Sequence, residues 1–236
     1  MPMISSDLLI LMAKFNWLPA SYVDASWLTP WLSPPQLAAI TANPEATRTL
    51  NRFLLEQPEV LEEVPAESFA DPMLQLLLLP GNTFRQVVLY AGLALNHHRI
   101  RQIICGQQQR EIKKSLGIPG YRFALERAPF MAGSLCKAIN LDEWEFLGGE
   151  ETRAAVFDSG LKLLSLASNN LLKPAIQRML YFFDKKDAEK IQSQWQVGFR
   201  AYVNDVHQIL EVQGRAQGLL LKIAQEINPQ WKPVTV

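Results

Sequence analysis

Leucine and alanine supply more than half of the apolar residues in this 236-residue chain. The sequence contains 35 leucines and 23 alanines, against 12 valines and 14 isoleucines. Branching at Cβ costs valine and isoleucine rotamer freedom in a helix, whereas leucine and alanine lose little. Alternating segments bounded by Asn-Gly or Asp-Gly turns, which are typical of β-hairpins, do not occur. The sequence therefore predicts an all-α protein.

Several helix starts are marked by a capping residue directly before proline. Proline suits the first helical position, because the N–H group that it lacks would have no intrahelical acceptor there. Serine, asparagine and aspartate side chains accept hydrogen bonds from the N–H groups of the first turn. We therefore expect an irregular multi-helix globular fold, with helices starting at Ser33-Pro34, Asn43-Pro44 and Asp71-Pro72.

The clearest periodic pattern lies near the C-terminus. Apolar residues recur at steps of three and four from Tyr202 to Ile227, with Gln213 as the one polar break. This pattern predicts a long amphipathic helix, which we extend over 194–227, about 50 Å at 1.5 Å per residue. The sequence leaves open whether this helix is wrapped by its own chain or projects to pair with a partner helix. A spacing of four between Gly214 and Gly218 would let another helix approach closely.

The length suits one large domain or two small ones. Two adjacent glycines, Gly148 and Gly149, interrupt the chain between helical segments. We predict an N-terminal helical subdomain at 1–147, which contains the basic segment 85–127, and a C-terminal helical subdomain at 150–236. One continuous domain is the alternative.

Charge is distributed unevenly, although the formal net charge is zero. Residues 1–84 carry three basic and nine acidic side chains, whereas residues 85–127 carry eight basic and two acidic side chains. Such asymmetry bears on binding partners rather than on the fold. The basic segment has three interpretations: a solvated surface, a contact with an acidic protein, or a nucleic-acid-binding surface. The candidate contact face consists of Arg99, Arg101, Arg110, Lys113 and Lys114.

Two tryptophans four residues apart, Trp27 and Trp31, lie in a proline-rich segment of the N-terminal region. Aromatic side chains in an irregular segment either pack against their own core or anchor an interface. We include both tryptophans as candidate partner contacts.

Candidate catalytic and metal-binding residues are few. A metal site needs at least three converging protein ligands. His98 and Cys105, seven residues apart, could share a helix face next to His97, but nothing nearby supplies a third ligand to that pair. Cys105 follows two isoleucines, an apolar setting in which we expect a protonated, inert thiol. We predict no catalytic residue, no bound metal and no cofactor. Since no window reaches about 20 uninterrupted apolar residues, we also expect a soluble, cytoplasmic protein.

Four segments, taken in order, resemble the SctK family of type III secretion systems, whose members are also called YscK, PscK or OrgA. Their order and spacing carry the resemblance, since the family has no diagnostic catalytic motif. The segments are 15–28 with Pro19, Ala20 and Tyr22; the leucine-rich run closing at Pro80, with the helix to Asn96 and residues 99–104; 123–133; and Ser159-Gly160-Leu161 with the helix after it.

The resemblance implies a non-enzymatic adaptor at the cytoplasmic face of the inner-membrane secretion apparatus. Family members bind the cytoplasmic domain of the ring protein SctD and the pod protein SctQ. The pod connects onward to SctL and the ATPase. We therefore expect protein partners, with no nucleic acid bound and no direct membrane insertion.

Two other functions remain open at the level of sequence. One is a helical nucleic-acid-binding protein that uses the basic 99–127 segment. The other is an unrecognised helical enzyme that uses His97, His98 or Cys105.

Overall fold

A computed structural model describes residues 6–56, 62–141, 148–198, 203 and 209–233. These residues form an all-α fold, as the sequence predicts, with an isolated antiparallel bridge between Ile139 and Val203. The helices are α1 (Ser6–Trp17), α2 (Pro34–Thr41), α3 (Pro44–Leu55), α4 (Pro72–Leu76), α5 (Gly81–Arg101), α6 (Gly106–Arg122), α7 (Ala128–Ala132), α8 (Leu135–Ala138), α9 (Gly149–Ser168), α10 (Lys173–Leu180), α11 (Lys185–Val197) and α12 (Ile209–Ile227).

The chain divides into two compact units, each built from separated stretches of sequence. Unit 1 contains Met1–Arg85, Asn170–Glu189 and Lys232–Val236, and unit 2 contains Gln86–Asn169 and Lys190–Trp231. The predicted subdomains at 1–147 and 150–236 divide the chain elsewhere and stay a prediction. Their proposed junction falls partly on residues 142–147, which lie outside the described residues.

All three proline-marked helix starts are confirmed. Helices α2, α3 and α4 begin at the prolines of the three pairs. The Asn43 side chain accepts a hydrogen bond from the N–H of Glu45 at 2.9 Å, and the Asp71 side chain accepts one from Met73 at 2.8 Å. The caps therefore satisfy N–H groups that the first helical turn leaves without an intrahelical acceptor.

The helix predicted over 194–227 is confirmed only in its C-terminal part. Helix α11 ends at Val197, and Gly198 then adopts a φ of +80°, in the left-handed region that favours glycine. Val203 pairs with Ile139 in the β-bridge, and the amphipathic helix begins at Ile209. The apolar pattern did not reveal this break, because it depends on spacing alone and includes Val203, which lies in the bridge and not in a helix. Residues 199–202 and 204–208 lie outside the described residues.

Helix α12 packs one face inside unit 2, against α7, α8 and α9. Gln213, the polar break in the pattern, lies on this buried face. A Cβ atom added at Gly214 or Gly218 would meet no atom within 4 Å. Among the described residues, then, no helix uses the close approach that this glycine pair would allow.

Two glycines let α5 and α9 cross closely in unit 2. A Cβ atom at Gly92 would overlap the carbonyl oxygen of Val156, and a Cβ atom at Gly160 would overlap that of Val88. Each helix thus places a glycine against the backbone of the other. The crossing fixes the position of α9 in unit 2. Helix α6, which follows α5 in the chain, also packs against α9.

A buried arginine of α10 joins three stretches of unit 1. The Arg178 side chain is 1% exposed. Its Nη1 donates to the carbonyl oxygen of Phe15 at 2.9 Å and to the hydroxyl of Tyr22 at 2.9 Å, and its Nη2 donates to the carbonyl oxygen of Glu62 at 3.1 Å. The guanidinium also lies 5.6 Å from the centre of the Phe15 ring. Burying a charge is costly unless hydrogen-bond acceptors surround it. The acceptors of Arg178 therefore hold these stretches of the chain in fixed relative positions.

The phenol of Tyr22 completes this arrangement. Its hydroxyl donates to the Phe15 carbonyl at 3.0 Å, and its ring stacks on Phe182 with centres 4.9 Å apart. Burial raises the pKa of Tyr22 to about 12, although the positive charge of Arg178 acts in the opposite direction. Burial therefore disfavours the phenolate more than the neighbouring guanidinium favours it.

We predict that Gly160→Ala destabilises the protein by about 2 kcal/mol or more, because the added methyl group overlaps backbone that cannot rotate away. Gly218→Ala is the control: it adds the same methyl group to a helix in open space, and should be neutral or stabilising by up to about 1 kcal/mol. The change in stability of each variant is measured from the midpoint of its urea unfolding curve. Equal midpoints for the two variants would contradict the close crossing of α5 and α9.

We also predict a loss of stability above pH 10 that depends on Tyr22. The unfolded tyrosine ionises near its ordinary pKa of 10, whereas the folded one stays protonated to about 12. The unfolded state therefore binds fewer protons in this window, and the free energy of unfolding falls by about 1.4 kcal/mol per pH unit. Urea unfolding between pH 8 and 11.5 measures this slope. Tyr22→Phe should flatten the curve, and an unchanged curve would show that Tyr22 is not the group responsible.

Candidate partner-binding surfaces

The five predicted basic residues lie on two consecutive helices of unit 2. Arg99 and Arg101 occupy the last turn of α5, and Arg110, Lys113 and Lys114 lie in the first half of α6. Arg99 is half-buried and the other four are exposed. We call these five residues the basic face.

The folding of α6 explains why its three basic residues are exposed. Ile112, Ser115 and Leu116 are buried on the side of α6 that packs against α9. At 3.6 residues per turn, Arg110 and the two lysines fall on the opposite side. The Lys113 ammonium lies 4.9 Å from the centre of the Tyr121 ring, a distance at which a cation–π contact supports the side chain.

Ion pairing distinguishes the four exposed residues of the basic face from Arg85, Arg122 and Arg127 of the 85–127 segment. Arg85 pairs with Asp24 at 3.0 Å, Arg122 with Glu126 at 3.2 Å and Arg127 with Glu226 at 2.8 Å. Within the described part of the chain, no carboxylate forms an ion pair with the four exposed residues of the basic face. These are Arg101, Arg110, Lys113 and Lys114. Their charge is therefore not neutralised by an ion pair within the described ranges.

Trp27 is held by contacts within unit 1. Its indole Nε1 donates to the carbonyl oxygen of Phe183 at 2.8 Å, and its ring lies 4.7 Å from that of Tyr181. The ammonium of Lys185 lies 5.7 Å from the indole. These contacts give the half-buried side chain a structural role, and the predicted partner contact stays a prediction.

Trp31 lies on the surface of unit 1 and is 56% exposed. Its ring meets that of Phe53 edge to face, with centres 5.5 Å apart. The pair borders an apolar groove of about 510 Å³ between α2 and α3, which we call the Trp31 groove. Its main lining residues are Leu28, Trp31, Leu32, Ile40, Leu50 and Phe53.

The contribution of α3 to the surface of unit 1 is not among the predicted site residues. Phe53 and the two arginines of this helix, Arg48 and Arg52, line grooves on its two sides. The capped start at Pro44 predicts the helix, and helical periodicity from that start separates Phe53 from the arginines. Trp31 lies outside α3, so its contact with Phe53 could not be read from local spacing.

The structure corrects the expectation for Cys105. Its thiol is exposed, not enclosed in an apolar setting, and it lies at the N-terminal cap of α6. The N–H groups of Gln108 and, to a lesser extent, Gln107 lower the pKa of the thiol. The expectation of an apolar setting is therefore wrong, because the two isoleucines before Cys105 do not cover it. The protonation and reactivity of the thiol stay a prediction.

The two histidines lie near the end of α5. His97 Nδ1 is 2.8 Å from the carbonyl oxygen of Ala94, and partial burial is the main cause that lowers the pKa of His98. No group of three or more histidine, cysteine, aspartate or glutamate residues in the described ranges could hold a metal ion. None of the described helices combines the length and apolar character required to cross a bilayer.

Comparison with known proteins identifies the family. The model of the family described as YOP proteins translocation protein K (YscK) matches residues 10–232, nearly the full chain. The same comparisons found no significant match to a curated protein or to a solved structure. The match extends beyond the four segments that resemble the SctK family and includes both units. The chain therefore belongs to the YscK family and is a protein of type III secretion.

Proposed function

We propose that this protein is a non-enzymatic adaptor of the type III secretion sorting platform. It links the cytoplasmic domain of the inner-membrane ring protein SctD to the pod protein SctQ, and through the pod to SctL and the ATPase. Membership in the YscK family over residues 10–232 is the observation that carries this proposal. The adaptor lies at the cytoplasmic face of the inner-membrane apparatus and is held there by protein contacts.

Surface chemistry supports docking to two partners. The basic face on unit 2 carries four exposed cations without an internal ion pair among the described residues. Cations of this kind attract an acidic partner from a distance and speed association in a salt-dependent way. The Trp31 groove on unit 1 instead offers exposed aromatic and aliphatic surface, which supports binding through a few buried anchors. Two surfaces of such different chemistry favour two different partners.

The same four cations also favour a second candidate function, nucleic-acid binding. Phosphate contacts would release counterions, so nucleic-acid affinity would fall steeply with salt concentration. A gel-shift series from low to physiological salt separates the two functions. Absence of a shift at low salt would eliminate nucleic-acid binding and leave the adaptor proposal unaffected.

We predict that the triple variant Arg110→Glu, Lys113→Glu, Lys114→Glu weakens binding to SctD or SctQ at least tenfold, because it replaces attraction with repulsion. Titration calorimetry with each purified partner measures the change, and circular dichroism should show an unchanged helical content. The matched control is Lys173→Glu, Lys186→Glu, Lys232→Glu, which makes the same charge change at exposed positions of unit 1. Wild-type affinity of the first variant for both partners at physiological salt would rule out the basic face as a contact.

We further predict that Trp31→Ala lowers the affinity for one partner about 30-fold or more, the effect typical of an interface hot spot. The Trp31 side chain is largely solvent-exposed, so its removal should leave the thermal midpoint of unfolding nearly unchanged. Phe130→Ala on α7 is the control, because Phe130 is an exposed aromatic residue (88%) of unit 2. If Trp31→Ala and Phe130→Ala bind both partners equally well, the Trp31 groove is not a docking site.

A further inference from the structure

A second groove, of about 690 Å³, runs along the other side of α3 in unit 1. Its lining includes Trp17 and Leu18 on one wall and Arg48, Arg52 and Leu55 of α3 on the other. We call it the arginine groove. It combines exposed apolar surface with two cations, since Trp17 is 55% and Leu18 is 41% exposed.

Hydrogen bonds hold both walls of this groove in place. The carbonyl of Phe15 accepts from buried Arg178, and the N–H of Ala20 donates to the Asn51 side chain on α3 at 2.8 Å. Trp17 and Leu18 lie between these two fixed points of the chain. The apolar wall is therefore positioned against α3 before any partner arrives, which reduces the ordering cost of binding.

The charge of the arginine groove contrasts with that of the sequence around it. Residues 1–84 contain nine acidic side chains and only three basic ones, and two of those three are Arg48 and Arg52. The exposed pair between Arg52 and Glu56 is long, at 3.9 Å, so it competes weakly with a partner's carboxylate. Among the described residues, no carboxylate forms an ion pair with Arg48.

We infer that the arginine groove binds a short acidic and apolar segment of a protein partner. Aliphatic side chains of the segment contact Trp17 and Leu18, and two carboxylates pair with Arg48 and Arg52. Since the two arginines are four residues apart on α3, they match two carboxylates three or four residues apart on a partner helix.

This inference rests on the proposed function, because it assigns the segment to one of the two proteins that the adaptor connects. The experiment titrates the full chain with the purified SctD cytoplasmic domain and, separately, with SctQ. The variant Arg48→Glu, Arg52→Glu should lose at least tenfold affinity for one of them and keep its affinity for the other. The control Lys173→Glu, Lys186→Glu makes the same charge change in unit 1 and should bind both as the wild type does.

The possible results separate the two proposals. Failure of the wild-type chain to bind either protein would overturn the proposed function and, with it, this inference. Wild-type affinity of the charge-reversed variant for both proteins would overturn the inference alone. The variant Arg48→Gln, Arg52→Gln, which removes charge without reversing it, should show a smaller loss with an unchanged circular dichroism spectrum and melting midpoint. A loss that appears only together with unfolding also counts against the inference.

Cross-linking tests the chemistry of the bound segment. Thr41 is exposed and lines the arginine groove, so a benzoylphenylalanine placed there should cross-link to the partner that the charge reversal weakens. Mass spectrometry should locate the cross-link in a segment with at least two acidic residues beside leucine, isoleucine, valine or methionine. A cross-linked segment that is basic or uncharged, or the absence of a cross-link in a complex that forms, would overturn the inference.

Discussion

Unit 1 depends on one buried guanidinium. Arg178 reaches the end of α1 at Phe15, the phenol of Tyr22 and the carbonyl of Glu62, so one side chain of α10 joins stretches more than 100 residues away in sequence. A methylene chain of similar volume could fill the space, but it would remove the hydrogen bonds to Glu62 and Tyr22 and leave the Phe15 carbonyl with the Tyr22 hydroxyl as its donor. The fold of unit 1 therefore requires an arginine at this position in a way that apolar packing alone would not.

This constraint extends to the surface. The stretch held at Phe15 and Tyr22 contains the apolar wall of the arginine groove, and Asn51 fixes the same stretch to α3. Asn16 and Val64 exchange two hydrogen bonds, from Asn16 Nδ2 to the Val64 carbonyl at 3.0 Å and from the Val64 N–H to Asn16 Oδ1 at 3.1 Å. Polar contacts in the interior thus determine the positions of the exposed Trp17 and Leu18, and a substitution in the interior would move this wall of the groove.

Local signals in the sequence predicted the helices well and the long-range contacts poorly. The capped prolines gave the starts of α2, α3 and α4, because a cap acts within three residues. The role of Arg178 could not be predicted, because its acceptors are backbone carbonyls and one phenol, none of which is marked by sequence spacing. The break at Gly198 could not be predicted either, because apolar spacing does not register one glycine with a positive φ. Of the candidate site, the exposure of Trp31 and of the lysines on α6 follows from their positions, whereas the internal bonding of Trp27 required the tertiary structure.

Net charge along the sequence is likewise an incomplete guide to the surface. The basic segment 85–127 loses Arg85, Arg122 and Arg127 to internal ion pairs, so its excess positive charge is concentrated on the remaining basic residues. The acidic segment 1–84, in contrast, gathers its two arginines at one groove. The proposed adaptor role requires each partner to be recognised at its own surface. Specific binding therefore depends on which charges the fold leaves unpaired, and composition alone does not contain that information.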